Sequence, residues 1–250
     1  MVSALWCGLA AFVVACARGS DRQSAVDTTR ASASSADAKS TAGAASPSAS
    51  ADSSASHRAT ILFAGTSLTA GLGLEPDSAY PMLIQRKIDS AGLPFEVVNA
   101  GVSGETSAGL LDRLDWLLRG DFRVLVLETG ANDGLRGIPT ETLKANLSAA
   151  LDRIRERRPD AKVLVVQMEA LPNLGPAYAA RFHKLYADVA REKGVTLLPF
   201  LLEGVAGHRE LNQGDGVHPN DRGEHIVAEN VWRGLRPALE SEARGTAARE

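Results

Sequence analysis

Cysteine is almost missing from this chain: of 250 residues only Cys7 and Cys16 are cysteines, and both lie within the first 16. The rest of the chain therefore has no disulfide, no thiol nucleophile and no thiolate ligand for a metal ion. An excess of positive charge is missing as well, because 27 Lys and Arg stand against 30 Asp and Glu. A protein that follows nucleic-acid phosphates needs a basic face, so nucleic acid is not an expected partner.

Long hydrophobic runs are scarce too. The apolar stretch at residues 2–15 has the length of the core of an export signal rather than of a membrane-spanning helix. It ends in Val-Val-Ala-Cys at residues 13–16, which resembles the bacterial lipobox, although no Lys or Arg precedes the run. We expect an export signal over residues 1–16 with lipidation at Cys16, and an uncleaved anchor helix is the alternative.

Residues 17–57 have little from which to build a core. Between residues 31 and 56, 20 of 26 residues are Ala or Ser, and none is Leu, Ile, Val or aromatic. Such a stretch cannot bury enough apolar surface to offset the entropy lost on ordering. The sequence therefore predicts a disordered tether over residues 17–57. It would hold an exported domain, periplasmic or in the cell envelope, at a membrane surface through its lipid anchor.

The rest of the chain has the composition of a globular domain in which strands and helices alternate. Short apolar runs predict buried parallel strands at 60–64, 95–99, 123–128, 162–168 and 196–199. Helical patterns lie between them at 79–90, 106–119, 140–157 and 177–193, and a last helix is expected at about 221–239. This alternation predicts a single three-layer α/β/α domain with a five-stranded parallel sheet over residues 58–240, followed by a disordered tail at 241–250.

Ligands bind such sheets at the carboxyl ends of the strands, and the loops there carry unusual residues. The first three loops are 65–71 (GTSLTAG), 99–106 (NAGVSGET) and 129–134 (TGANDG), and 215–219 (DGVHP) precedes the last helix. Taken singly, Ser67 suits a helix cap, and the glycines and Asn-Asp-Gly suit turns. Asp215, three residues before His218, suits either an orienting pair for a general base or a surface turn.

Together and in this order, the blocks GTSLTAG, NAGVSGETS, GANDGLRG and DGVHP resemble those of the SGNH (GDSL) hydrolase family. The runs 128–137 (ETGANDGLRG) and 197–200 (LLPF) resemble its bacterial exported thioesterase, lysophospholipase and arylesterase-type members. The resemblance implies a flavodoxin-like fold. It also implies hydrolysis of short to medium acyl, aryl or lysophospholipid esters, and of thioesters, without a metal or organic cofactor. The sequence does not indicate an oligomeric state.

The same resemblance implies a role for particular residues. Ser67 matches the nucleophile, His218 the general base and Asp215 the residue that orients the base. The backbone N–H groups of Ser67 and Gly104 and the side-chain amide of Asn132 match the oxyanion hole. The chemistry is consistent, because a serine hydroxyl is a weak nucleophile until a base removes its proton, and an imidazole suits that task near neutral pH.

One position departs from the family pattern. The family's first block reads Gly-Asp-Ser, and Thr66 stands here in place of the Asp, which helps to hold the nucleophile loop. A threonine can offer a hydroxyl to neighbouring groups but not a charge. We expect activity to survive with a changed pH or rate profile, and loss of activity is the alternative.

Substrate specificity is less well defined by the sequence. The segment 169–178 (EALPNLGPAY), Leu68 and Leu135 are expected to line the acyl side of the cleft. Two other functions stay open, a carbohydrate O-acetylesterase and a non-catalytic binding module with a phosphate cradle at residues 66–69. The remaining histidines lack the spacing of a metal site and receive structural interpretations; they are His57, His183, His208 and His225.

Overall fold

Five parallel strands form one sheet in the computed structural model, which describes residues 58–247. They are β1 (Ala59–Gly65), β2 (Phe95–Gly101), β3 (Val124–Leu127), β4 (Lys162–Gln167) and β5 (Thr196–Phe200). Their order across the sheet is β2-β1-β3-β4-β5, so the predicted α/β fold with its five-stranded parallel sheet is confirmed. The predicted export signal with Cys16 and the predicted tether lie outside the described residues, as do residues 248–250.

Helices cover both faces of this sheet, and the direction of each crossover decides the face. The helices are α1 (Ser67–Ala70), α2 (Tyr80–Ser90), α3 (Ser107–Leu117), α4 (Ala131–Leu135), α5 (Thr140–Arg157), α6 (Pro176–Lys193) and α7 (Asp221–Ala247). Right-handed crossovers that run in opposite directions place their helices on opposite faces. Accordingly, α2 packs with α7 on one face, and α3, α5 and α6 pack together on the other.

The strands form because their side chains are covered on both faces. All four residues of β3 are buried, as are the last five of β1, which explains the continuous apolar runs in the sequence. In contrast, β2 pairs only with β1 and is half exposed. The described part of the chain contains no helix that is both long enough and apolar enough to cross a membrane.

The last helix differs from the prediction. α7 continues to Ala247, so residues 241–247 are helical rather than part of a disordered tail. The lack of large apolar residues after Leu239 favours an earlier end. However, the apolar face of the helix continues past this point, because Leu239 is fully buried and Ala243 packs against the core.

Because all five strands are parallel, their carboxyl ends lie at one edge of the sheet, and the sequence blocks follow those ends. Gly65 at the end of β1 is paired in register with Gly101 at the end of β2. A Cβ on Gly101 would lie 2.3 Å from the backbone nitrogen of Ala70. The absence of a side chain at Gly101 therefore lets α1 sit directly against the end of β2.

Candidate active site

Ser67 lies directly after β1, as the first residue of the short helix α1. Its neighbour Thr66 is the N-cap and has extended backbone angles. The turn closes at Gly71, whose N–H donates to the Ser67 carbonyl at a φ of 71°, a value that favours glycine. Ser67 is 8% exposed, so its hydroxyl reaches the surface from a largely buried position.

The loop before α7 brings an imidazole to this hydroxyl. Nε2 of His218 lies 2.9 Å from Oγ of Ser67, and Nδ1 of His218 lies 2.6 Å from Oδ2 of Asp215. The three side chains therefore form one hydrogen-bonded chain across residues that are 151 positions apart in the sequence. This is the arrangement in which an imidazole takes a proton from a hydroxyl while a carboxylate orients its ring.

Asp215 is held by its own turn. Its Oδ1 accepts hydrogen bonds from the backbone N–H groups of Val217 at 2.9 Å and His218 at 3.0 Å. These two bonds, with the side chain of His218, lower the pKa of Asp215 to about 2. The carboxylate is therefore ionised at neutral pH and can accept the Nδ1–H of the ring beside it.

A second set of contacts ties the histidine loop to the nucleophile loop. The Gln213 N–H donates to the His218 carbonyl at 2.8 Å. The Gln213 side chain donates to the carbonyls of Leu72 at 2.7 Å and Pro219 at 2.9 Å. Because Leu72 follows α1, Gln213 fixes the position of His218 relative to Ser67. Sequence reasoning missed this residue, since a lone glutamine in a loop has no distinguishing pattern.

The loops after β2 and β3 contribute the remaining predicted residues. Gly104 has a φ of 80°, in the region that favours glycine, and Asn132 lies in α4. The Asn132 side-chain amide donates to the Glu105 carbonyl at 2.9 Å, and Arg136 donates to the Gly104 carbonyl at 2.9 Å. The two loops are therefore bonded to each other at the predicted oxyanion residues.

Buried polar side chains below these loops escaped sequence reasoning. Asp133 is 1% exposed and accepts from the backbone N–H of Ser107 at 2.8 Å and from its hydroxyl at 2.5 Å. Glu105 forms a bidentate ion pair with Arg113. The sequence signal that could have identified these charged residues is their position in the loops that follow predicted strands. In one sequence, however, that pattern also fits exposed turns.

Another buried acid, Glu128, lies beneath the nucleophile loop itself. It follows β3 and is fully buried, and its Oε2 accepts hydrogen bonds from the Thr66 N–H at 2.6 Å and the Thr66 hydroxyl at 2.9 Å. Thr66, the position that departs from the family pattern, therefore contacts a carboxyl group from another strand.

Exposed aliphatic side chains lie at the same edge of the sheet as Ser67. Four of them are on the loops that follow β1 to β4, each between 44% and 46% exposed: Leu72, Val102, Leu135 and Leu171. That Leu135 and the segment 169–178 line the acyl side of a cleft stays a prediction. The expectation for Leu68 is wrong, because Leu68 is 5% exposed and packs in the core. On a helical turn the residue after Ser67 points inward when Ser67 points outward.

Comparison with known proteins gives a consistent result. A sequence model described as "GDSL-like Lipase/Acylhydrolase family" matches residues 63–226. Esterase TesA from Pseudomonas aeruginosa is 40% identical over 181 residues, which cover 72% of this chain and 89% of that protein. A solved structure of TesA has a TM-score of 0.68 at 40% identity and covers 71% of this chain and 98% of that one.

Two further relatives have other activities in their names. The arylesterase of Vibrio mimicus is 36% identical and covers 70% of this chain and 87% of its own length. Thioesterase 1/protease 1/lysophospholipase L1 of Escherichia coli K12 is 34% identical and covers 72% of this chain and 85% of its own length. The range matched by the family model, residues 63–226, contains Ser67 and His218.

Proposed function

Because the chain belongs to the GDSL-like lipase/acylhydrolase family, we propose that it hydrolyses carboxylic esters through an acyl-enzyme on Ser67. The observation that carries this proposal is the hydrogen-bonded chain from Ser67 through His218 to Asp215, with distances of 2.9 and 2.6 Å. Esterase, arylesterase and thioesterase are names of relatives. They support esters of short to medium acyl chains, aryl esters, lysophospholipids and thioesters as the substrates.

The reaction follows from this geometry. Oγ of Ser67 attacks the carbonyl carbon as Nε2 of His218 takes its proton, and the carbonyl oxygen becomes an oxyanion. The imidazolium then gives that proton to the leaving oxygen or sulfur as the bond to carbon breaks. A water molecule, deprotonated by the same imidazole, attacks the acyl carbon. The bond between that carbon and Oγ of Ser67 breaks, the imidazolium returns the proton to Oγ, and the acid is released. Asp215 keeps Nδ1 protonated and stabilises the imidazolium in both halves of the reaction.

The oxyanion is stabilised by three donors in this proposal: the N–H groups of Ser67 and Gly104 and the amide of Asn132. One amide hydrogen of Asn132 is engaged by the Glu105 carbonyl, which fixes the plane of the amide and leaves the second hydrogen for the oxyanion. Such donors accelerate the reaction because they are already oriented when the charge develops.

The alternative of a carbohydrate O-acetylesterase differs in what the cleft must accept. A sugar needs a rim of hydrogen-bonding side chains, whereas Leu72, Val102, Leu135 and Leu171 give this rim an aliphatic character. Apolar surface favours substrates that bury methylene groups, each of which contributes about 0.8 kcal/mol. The rim therefore supports acyl chains longer than acetyl.

The test is a chain-length series of p-nitrophenyl esters, from acetate to palmitate, with the purified protein and its Ser67→Ala variant. We expect the rate to peak at a chain longer than acetate and to disappear in Ser67→Ala. A peak at acetate, together with faster release of acetate from an acetylated sugar, would favour the O-acetylesterase. Undiminished turnover by a folded Ser67→Ala variant would rule out the acyl-enzyme on this serine.

We further propose that the protein is exported and held at a membrane by a lipid on Cys16. The support is the lipobox-like sequence at residues 13–16 and the Ala/Ser-rich tether that follows it. Labelling of bacteria that produce the protein with radioactive palmitate tests this, with Cys7 as a matched control. Cys16→Ser should remove the label and Cys7→Ser should retain it, whereas label that survives in Cys16→Ser would contradict the proposal.

A further inference from the structure

A carboxyl group that the serine mechanism does not use lies directly below the nucleophile loop. We infer that Glu128 is a positioning residue that holds Ser67 for attack by accepting hydrogen bonds from Thr66, the residue before it. The inference rests on the proposed function, since it needs Ser67 to be the nucleophile. It assigns a task to the position at which this chain departs from the family's first block.

Three hydrogen bonds converge on a single oxygen of Glu128. Oε2 accepts from the Thr66 N–H at 2.6 Å, from the Thr66 hydroxyl at 2.9 Å and from the Thr69 hydroxyl at 3.0 Å. Two of these donors belong to the residue that precedes Ser67, so both the backbone and the side chain of that residue are held. Gly65 leaves room for the contact, because a Cβ there would lie 2.7 Å from Oε2.

The number of protons available decides which group donates in each of these hydrogen bonds. A hydroxyl has one proton, so Thr69, which donates to Glu128, accepts from the Tyr80 hydroxyl 2.9 Å away. Tyr80 begins α2, and its backbone N–H is bound by Glu224 at 2.8 Å. Every direct contact of Oε2 is therefore a donor.

The surroundings disfavour negative charge in this place. The pKa of Glu128 is raised, because burial and the like charge of Glu105 raise it by more than the hydrogen bonds of Thr66 and Thr69 lower it. Tyr80 from α2 and Tyr186 from α6 also face this carboxyl, and burial together with the charge of Glu128 raises the pKa of both hydroxyls. The second oxygen of Glu128, Oε1, is buried without a hydrogen-bond partner among the described residues, so the contacts of this group run through Oε2.

Threonine at position 66 brings a single hydroxyl to this carboxyl group, whereas aspartate would bring a second carboxyl group. The Thr66 hydroxyl is 2.9 Å from Oε2, so an aspartate in its place would bring a second carboxyl group to hydrogen-bond distance. Two carboxyl groups this close share one proton, and the pKa for losing it is raised. As the pH rises, Thr66→Asp should lose the shared proton, and repulsion between the charges should then displace the loop that carries Ser67.

The experiment measures kcat and KM for p-nitrophenyl butyrate from mildly acidic to alkaline pH, with the uncatalysed rate subtracted. Glu128→Gln should lower kcat about tenfold to a hundredfold with KM nearly unchanged, the loss expected for displacement of a reacting group by about 1 Å. Thr66→Asp should lose kcat at alkaline pH, where the wild type keeps its full kcat. The double variant Thr66→Asp/Glu128→Gln should not show this alkaline loss, because it has one carboxyl group.

Controls separate this role from general destabilisation. Thr129 is adjacent, is 1% exposed, and its hydroxyl has no hydrogen-bond partner among the described residues. Thr129→Val therefore removes a buried hydroxyl without touching the loop, and kcat should stay within twofold. Thr66→Val should lose activity. Thr66→Ser, which keeps the hydroxyl donor to Glu128, should retain it.

Three results would overturn the inference. A folded Glu128→Gln variant could have the wild-type kcat and pH profile, or Thr66→Asp could keep its kcat at alkaline pH. Alternatively, the loss of kcat at alkaline pH could persist in the double variant. If Glu128→Gln or Thr66→Asp does not fold, the comparison of Thr66→Val with Thr66→Ser tests the inference instead. Equal kcat values in these two variants would contradict it. Failure of the proposed function is distinct, because it would appear as turnover by Ser67→Ala.

Discussion

Two imidazole–carboxylate pairs among the described residues have the same N···O distance but different surroundings. Nδ1 of His218 lies 2.6 Å from Asp215, and Nδ1 of His183, on α6, lies 2.6 Å from Glu169 after β4. The first imidazole is 18% exposed and its second nitrogen contacts Ser67, whereas the second imidazole is 68% exposed. A carboxylate beside an imidazole is therefore not sufficient for a general base, and the group at the other nitrogen makes the difference.

The two carboxylates also differ in how they are held. Asp215 accepts two backbone N–H groups of its own turn, which stabilise its charge independently of the histidine. Glu169 accepts instead from the side chain of Gln167 at 3.2 Å, a longer bond to a rotatable group. The first pair is therefore prearranged by the backbone, and the second is an exposed contact of the kind that contributes about 0–1 kcal/mol.

Replacement of the imidazoles should give the largest contrast. His218→Ala should lower kcat/KM on the order of 10⁴-fold, because the serine loses its base and the leaving group its acid. His183→Ala should leave kcat/KM within about twofold, since substitutions at exposed positions away from the reacting groups are nearly neutral. Steady-state kinetics with one ester tests both variants. A large loss in His183→Ala would show that the second pair takes part in the reaction.

Replacement of the carboxylates should give the next contrast. Asp215→Asn should lower kcat by about 10²- to 10⁴-fold through the wrong tautomer and the lost charge. The deficit should stay constant down to about pH 3, because the pKa of Asp215 is about 2. Glu169→Gln should change kcat less than about twofold. A deficit in Asp215→Asn that vanishes as the pH is lowered toward 5 would contradict the role of the carboxylate charge.

The oxyanion side sharpens the comparison, because the proposed donors serve only the reaction at Ser67. Asn132→Ala should lower kcat about 10²- to 10³-fold with little change in KM, since the amide acts on charge that develops in the transition state. Asn146→Ala is the matched control. It removes an amide that donates to the Ser107 hydroxyl at 2.9 Å, so it should affect stability more than kcat. Equal kcat losses in the two variants would argue against the oxyanion role.

The smallest effect on activity is expected at Glu224, a buried carboxyl group without an imidazole. Burial raises its pKa from 4.5 to about 8. A raised pKa stabilises the fold most below the unfolded value, and the contribution is lost as the pH rises through about 8. Glu224→Gln, which can still accept from Tyr80, should remove a few kcal/mol of pH dependence between about pH 4 and 9.

Denaturant unfolding at several pH values measures this change, with Glu240→Gln as the control. Glu240 lies on the same helix, where it is exposed and paired with Arg236 at 2.7 Å, so its replacement should leave the pH dependence as it is. If wild type and Glu224→Gln lose stability in parallel as the pH rises, a different group is responsible.

The sequence predicts much of this fold because its signals are local. The bounds 140–157 for α5 agree with the structure, since Pro139 marks the start and Arg158 lies outside the apolar pattern. α7 was predicted too short, because no large apolar residue follows Leu239 in the sequence, whereas in the structure Ala243 still packs against the core.

The candidate site divides in the same way. The positions of Ser67, Gly104, Asn132, Asp215 and His218 follow from short blocks that are legible in one sequence. The inward direction of Leu68 and the bond between Thr66 and Glu128 were not legible. The first depends on which face of a four-residue helix meets the core, and the second joins residues 62 positions apart.

By itself, the sequence determined the alternation of strands and helices and the residue types on each loop, because these depend on neighbours along the chain. Only the tertiary structure decided which buried acid lies beneath the nucleophile loop, and that the imidazole of His183 pairs with Glu169. The physical reason is the parallel sheet, which brings the carboxyl ends of distant strands to one edge. Strand order and register then select the side chains that come within hydrogen-bond distance.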